Sequence, residues 1–137
     1  VVDLDKLGPR TLTVDCDVLQ ADGGTRCASI TGAWVAVALA LAEGKTLRAL
    51  PPQIAAVSLG VQGGEVLTDL CYEEDSAADV DLNFVTTKAG IVEIQGTAEG
   101  AVFSADTLAT MVARGQAACA RLFELQREAV IGAGVMP

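Results

Sequence analysis

Residues Ile54 to Tyr72 read IAAVSLGVQGGEVLTDLCY, and Val80 to Gln95 read VDLNFVTTKAGIVEIQ. Each stretch is a pair of apolar-rich runs divided by glycine. Gly63-Gly64 separates Ile54–Val61 from Glu65–Tyr72, and Ala89-Gly90 separates Val80–Thr87 from Ile91–Gln95. Glycine supplies the positive φ that tight hairpin turns demand, so both stretches read as β-hairpins. Pro51-Pro52 keeps a helix from running into the first of them.

On the N-terminal side, Cys27 to Ala42 is a run of Ala, Val and Leu ended by Gly44. It reads as a helix apolar on nearly all sides, and is therefore expected to be central and covered. Before it, Arg10 to Leu19 alternates Leu12, Val14, Cys16 and Val18 with Thr11, Thr13, Asp15 and Asp17, the pattern of a half-buried strand. Gln20 to Gly24 forms a polar turn between the two. On the C-terminal side Ser104 suits a helix N-cap, with Asp106 in the first turn. Leu108, Met111, Val112, Cys119, Leu122 and Phe123 then continue a helical stripe to about Val130.

The order strand, helix, two hairpins, helix gives an α+β fold, a mixed or antiparallel sheet with packed helices. No linker divides it. The chain reads as a single unit over residues 1–137, with the core in 1–103, the C-terminal helix in 104–131, and a frayed tail from Gly132 to Pro137. The opening Val1-Val2-Asp3 has neither an initiator Met nor a leader pattern, which reads as a start within a longer protein or as a missing disordered front.

Composition narrows function. Half the residues are apolar, yet no segment reaches the ~20 uninterrupted apolar residues of a membrane span, so the expectation is a soluble protein. The formal net charge is −9, and no basic residue falls between Arg48 and Lys88, so the acidic middle would repel a phosphate backbone. Cys16, Cys27, Cys71 and Cys119 form no CxxC pair, and the chain has no His, so they read as reduced core thiols. The lack of His also excludes Ser-His and Cys-His nucleophiles within the chain. Trp34, inside the apolar helix, reads as core.

Three clusters could carry chemistry. Asp22-Gly23-Gly24-Thr25-Arg26 lies at a strand-to-helix turn, where converging amides, the helix N-terminus, a hydroxyl and a guanidinium fork all suit phosphate. A plain helix entry is the alternative. Glu73-Glu74-Asp75 with Asp79 and Asp81 is acidic; if extended, Asp75, Asp79 and Asp81 share one face and could hold a divalent cation. A solvated acidic loop explains the same residues. Glu93 to Gly100, EIQGTAEG, ends a strand in a turn whose polar residues either face a site or close the hairpin.

Taken together, VDCDVLQADGGTRCASITGAWVA (14–36), YEEDSAADVDLN (72–83) and VEIQGTAEGAVFS (92–104) resemble successive signature blocks of ribonuclease PH, in that family's order. The resemblance covers nearly the whole chain and corresponds to the second half of a family member, with the N-terminal half absent. It implies a phosphorolytic 3′-to-5′ exoribonuclease, a phosphate-dependent tRNA nucleotidyltransferase of the cytoplasm. Inorganic phosphate would be its co-substrate and Mg²⁺ its cofactor. RNA 3′ ends of tRNA precursors would be its substrates, with ribosomal RNA also processed. Phosphate binding then falls on Gly24, Thr25 and Arg26, and metal-assisted catalysis on Asp75 and Asp81; Asp79 has no role. The resemblance also implies assembly with copies of itself as a hexameric ring, a trimer of dimers. A non-catalytic ring subunit of an exosome-like assembly and the core domain of polynucleotide phosphorylase are the alternatives, and the Gly-Gly-Thr-Arg turn favours ribonuclease PH over the latter. Outside the resemblance, an acidic domain binding a phosphorylated small molecule at Gly24 would fit the same turn.

Overall fold

A computed structural model describes residues 2–100 and 102–135. The two hairpins form β1 (Ile54–Gln62), β2 (Glu65–Thr68), β3 (Val80–Thr87) and β4 (Gly90–Ala98). All neighbours are antiparallel, in the order β2-β1-β3-β4. The helices are α1 (Leu4–Leu7), α2 (Thr25–Glu43), α3 (Tyr72–Ser76) and α4 (Ala105–Gly132).

Period-two alternation divides the sheet into two unlike faces. Ala55, Val57 and Leu59 of β1 and Val80, Leu82 and Phe84 of β3 point to one side, where they pack on Met111, Cys119 and Phe123 of α4. Burying a side chain such as Phe84 stabilises the fold by about 1.5–3 kcal/mol. Gly115 lets α4 come this close, since a Cβ there would lie 2.7 Å from the Phe84 ring. Ser104 starts α4 as expected, its hydroxyl accepting the Thr107 amide at 3.0 Å. The opposite face presents Ala56 and Val85 to Cys27 and Ile30 of α2 at one end, and Ser58, Gly60, Asp81 and Asn83 toward the other.

β2 covers only Leu59 to Gln62 of β1, which leaves the outer edge of Ile54–Ser58 without a strand. Side chains satisfy it instead. The Thr31 hydroxyl of α2 accepts the Ala56 amide at 3.0 Å and donates to the Ala56 carbonyl at 3.2 Å. Buried Gln126 of α4 donates to the carbonyls of Ile54 (2.8 Å) and Thr31 (2.9 Å). One amide thus ties α4, α2 and β1 together.

Several expectations need correction. Arg10–Leu19 is not a strand, because its backbone finds no neighbour to pair with; Leu12 packs beside Leu7 and Leu41, but Val14 and Val18 stand in solvent, at 51% and 47% exposure. The second strand of the first hairpin stops at Thr68 rather than Tyr72, since Asp69 takes φ 64° and turns the chain into α3. α2 is not covered on all sides. Only Cys27, Trp34, Ala38 and Leu41 are buried, where the sheet, α4 and the Leu47–Ala49 turn reach it. Thr25–Glu43 is also long and apolar enough to span a membrane by length and composition, although it packs here on β1 and α4. Trp34 is core, as read, its indole donating to the Pro51 carbonyl at 3.2 Å. The expected frayed tail is helical at Gly132; Met136 and Pro137 lie outside the described residues.

Gln126→Leu is predicted to destabilise the fold by about 1–3 kcal/mol, the cost of leaving a buried carbonyl unpaired. Equilibrium urea unfolding checks this; an unchanged midpoint refutes the bridging role.

Candidate functional site

Gly23 and Gly24 adopt left-handed backbone, φ 59° and 55°, which a side chain would strain. Both also lie against other chain segments. A Cβ on Gly23 would sit 2.2 Å from the Leu70 carbonyl oxygen, and one on Gly24 would sit 2.8 Å from Ser58 Oγ. The Asp22 carboxylate accepts the Tyr72 amide at 2.8 Å. The turn before α2 is therefore clamped to the entry of α3 and to β1, so the first and second chemical clusters of the sequence are neighbours.

Gly24 is the N-cap of α2 and has no side chain to bond the first-turn amides. Those amides, at the positive end of a 19-residue helix, form an anion-ready cradle beside the Thr25 hydroxyl. The turn lines one end of a cleft of about 1120 Å³ that also passes Asp15, Asp17 and Asp69 and, on α4, Arg121 and Leu122. Arg26, Asp75 and Asp81 do not line that cleft.

Of the acidic run, Glu74 closes a capping box on the amide of Cys71 at 3.0 Å. Asp75 follows on the same helical turn, so the extended-chain grouping of Asp75 with Asp79 and Asp81 is incorrect. Asp79 has a structural job: its carboxylate accepts the Gly63 amide at 3.2 Å, and its backbone ties Val61 to Glu99. Asp81, on β3 opposite Thr97 and Gly60, is half-buried. Burial pushes its carboxyl above the usual range, and the nearby charges of Asp75 and Glu99 push it further. Asp75 and Glu99 thus both face Asp81 closely enough to act on it. Glu99 was not singled out by sequence reading.

Two residues along β3 from Asp81, the Asn83 side-chain oxygen accepts the Cys27 thiol at 2.9 Å. Burial pushes the thiols of Cys27 and Cys119 up to about 11, so both are neutral core groups. Cys16 is instead exposed. Arg26 reaches across to β4. Its Nη1 and Nη2 donate to the Glu93 carboxylate at 2.7 and 3.1 Å, and Nη1 also donates to Gln95 Oε1 at 3.1 Å. The structure therefore brings Gly24, Thr25 and Arg26 onto the sheet face that carries Asp81 and Asn83, with Asp75 nearby. The sequence signal for the β4 partners was the alternation of Glu93, Gln95 and Thr97 with Ile94, Gly96 and Ala98.

Residues 53–118 match the model of the 3′ exoribonuclease family, domain 2. The chain is 54% identical over 136 residues to ribonuclease PH of Mycolicibacterium gilvum (strain PYR-GCK), covering 94% of this chain and 52% of that protein. It is 51% identical over 141 residues to ribonuclease PH of Synechococcus sp. (strain JA-2-3B'a(2-13)), covering 94% and 57%. The chain is thus similar to ribonuclease PH over nearly its whole length. It spans about half the length of these ribonuclease PH relatives. The crystal structure of rice (Oryza sativa) Rrp46 shares the fold, with TM-score 0.66 and 22% identity over 80% of this chain and 49% of that one.

Because Asp81 is harder to ionise in the folded chain, its negative charge opposes folding. That cost is full above its folded pKa and vanishes below the ordinary carboxylate range, where both states are protonated. Asp81→Asn should therefore raise Tm by a few degrees at neutral pH, with the gain disappearing as pH falls through the carboxylate range. Thermal melts across pH check this, and a gain that persists in acid would refute it.

Proposed function

We propose that this chain supplies the phosphate-binding and acidic half of a phosphorolytic 3′-to-5′ exoribonuclease. The observation that carries the reading is the clamping of the Gly24-Thr25-Arg26 turn beside Asp75 and Asp81. The first-turn amides of α2, the Thr25 hydroxyl and Arg26 hold inorganic phosphate and orient it as nucleophile. A phosphate oxygen attacks the phosphorus of the 3′-terminal phosphodiester, and the bond to the 3′ oxygen of the preceding nucleotide breaks. A nucleoside diphosphate leaves, and the RNA is one nucleotide shorter.

Asp75 and Asp81 suit Mg²⁺, which takes one or two carboxylates and completes its shell with water and substrate phosphate. Mg²⁺ held there would neutralise charge on the scissile phosphate. Alternatively, Asp81 would assist proton transfer to the departing 3′ oxygen. The finer reading follows the resemblance: tRNA precursor 3′ ends as substrate, ribosomal RNA as a further one, a cytoplasmic setting, and a hexameric ring built as a trimer of dimers.

Arg26→Ala should weaken binding of inorganic phosphate by about 1.5–3 kcal/mol, the worth of a charge-assisted contact. Titration calorimetry reads this, and unchanged affinity would sink the anion site. In a full-length enzyme carrying this half, Asp81→Asn should lower turnover far more than RNA affinity. Phosphate-dependent release of nucleoside diphosphate from a 3′-tailed RNA is the assay. Wild-type turnover at saturating Mg²⁺ removes Asp81 from the mechanism.

A further inference from the structure

Arg26 carries five N–H donors, and the structure accounts for three of them. Glu93 takes one from Nη1 and one from Nη2 at the far end of the guanidinium, and Gln95 takes the second from Nη1. Nε–H and the remaining Nη2–H have no partner among the described residues. These two lie side by side and parallel along one edge of the planar group, spaced to meet two oxygens of one phosphate.

The Arg26–Glu93 pair is of little use to stability. Its side chains are 48% and 38% exposed, and solvent screening leaves such an ion pair little net effect on folding. The contact joins residues 67 apart in sequence, on the first turn of α2 and on edge strand β4. Its effect is geometric, because a bidentate carboxylate plus an amide oxygen fixes both the position and the plane of a side chain that otherwise has many rotamers. We propose that Glu93 and Gln95 are positioning residues that hold Arg26 with its Nε–Nη2 edge free for inorganic phosphate. This rests on the phosphate reading of the Gly24–Arg26 turn. The hydrogen bond raises the proton affinity of Arg26 and holds the Glu93 carboxyl below its ordinary range, so the pair stays charged across the neutral range.

A cycle of calorimetric titrations with inorganic phosphate tests it, using the chain as it stands together with Glu93→Asp, Gln95→Leu, Arg26→Ala and the Arg26→Ala/Glu93→Asp double variant. Glu93→Asp keeps the charge but withdraws the carboxylate by one methylene, so a purely electrostatic role leaves affinity unchanged. The expected result is about fivefold weaker binding for Glu93→Asp, a smaller loss for Gln95→Leu, and no further loss from Glu93→Asp once Arg26 is Ala. An equal effect of Glu93→Asp in both backgrounds, tighter binding, or no effect overturns the positioning role while leaving the anion site standing. Unchanged affinity for Arg26→Ala overturns the anion site itself, and the positioning role with it. Thermal melts of each variant separate these outcomes from loss of fold.

Discussion

The contact on which the site depends is that of two glycines with the backbone behind them. Gly23 lies so close to Leu70 that its missing Cβ is a geometric requirement, and Gly24 stands in the same relation to Ser58. Left-handed backbone at both residues turns the chain sharply enough to start α2 above the sheet instead of beside it. Any side chain here would lift the helix N-terminus away from β1, and with it the amides, the Thr25 hydroxyl and Arg26. The bond from the Tyr72 amide to Asp22 closes the same junction from the other side and carries α3 with it. Segments some fifty residues apart are thus held in register by backbone shape more than by side-chain attraction.

The sheet then separates stability from chemistry. On the α4 face it is apolar and fully packed, with Phe84, Leu59 and Met111 excluded from water. On the α2 face the same strands present Ser58, Asp81 and Asn83 beyond the end of a short apolar patch. Because strand side chains alternate, each apolar residue that anchors β3 on α4 also fixes the aim of the polar residue beside it. Leu82 buried on one side sets Asp81 and Asn83 on the other. Burial of Asp81 costs folding free energy that the opposite face must offset, which is expected where a group is kept for chemistry and not for stability.

Local signals made most of the fold legible. The two hairpins announced themselves through Gly63-Gly64 and Ala89-Gly90, and α4 through Ser104, because turns and caps are decided within a few residues. Arg10–Leu19 misled, since alternation says only that a segment could pair, and pairing needs a second backbone. The helical turn at Tyr72–Ser76 was hidden because its cap is Cys71 and its capping partner, Glu74, reads as part of an acidic loop. Residue chemistry alone flagged Gly24, Thr25 and Arg26, whereas Asp75 and Asp81 stood out from their acidic neighbours only through family resemblance. What set Glu74 and Asp79 apart is visible only in space, where each carboxylate accepts a backbone amide. The pairing of Arg26 with Glu93 left no local trace beyond the polar alternation of β4.

Local charge also bears on how an acidic chain can serve an anion. Arg26 is balanced by Glu93, and Asp75, Asp81 and Glu99 add negative charge close by, so side chains alone make this corner unfavourable for phosphate. Two features oppose that field. The first-turn amides of α2, which no side chain among the described residues caps, are fixed partial positive charges. The carboxylates themselves, on the proposed reading, hold a divalent cation, which cancels most of the field they generate. The acidic cluster and the phosphate cradle then depend on each other. Without the cation the cluster repels the nucleophile, and with it that repulsion is largely relieved.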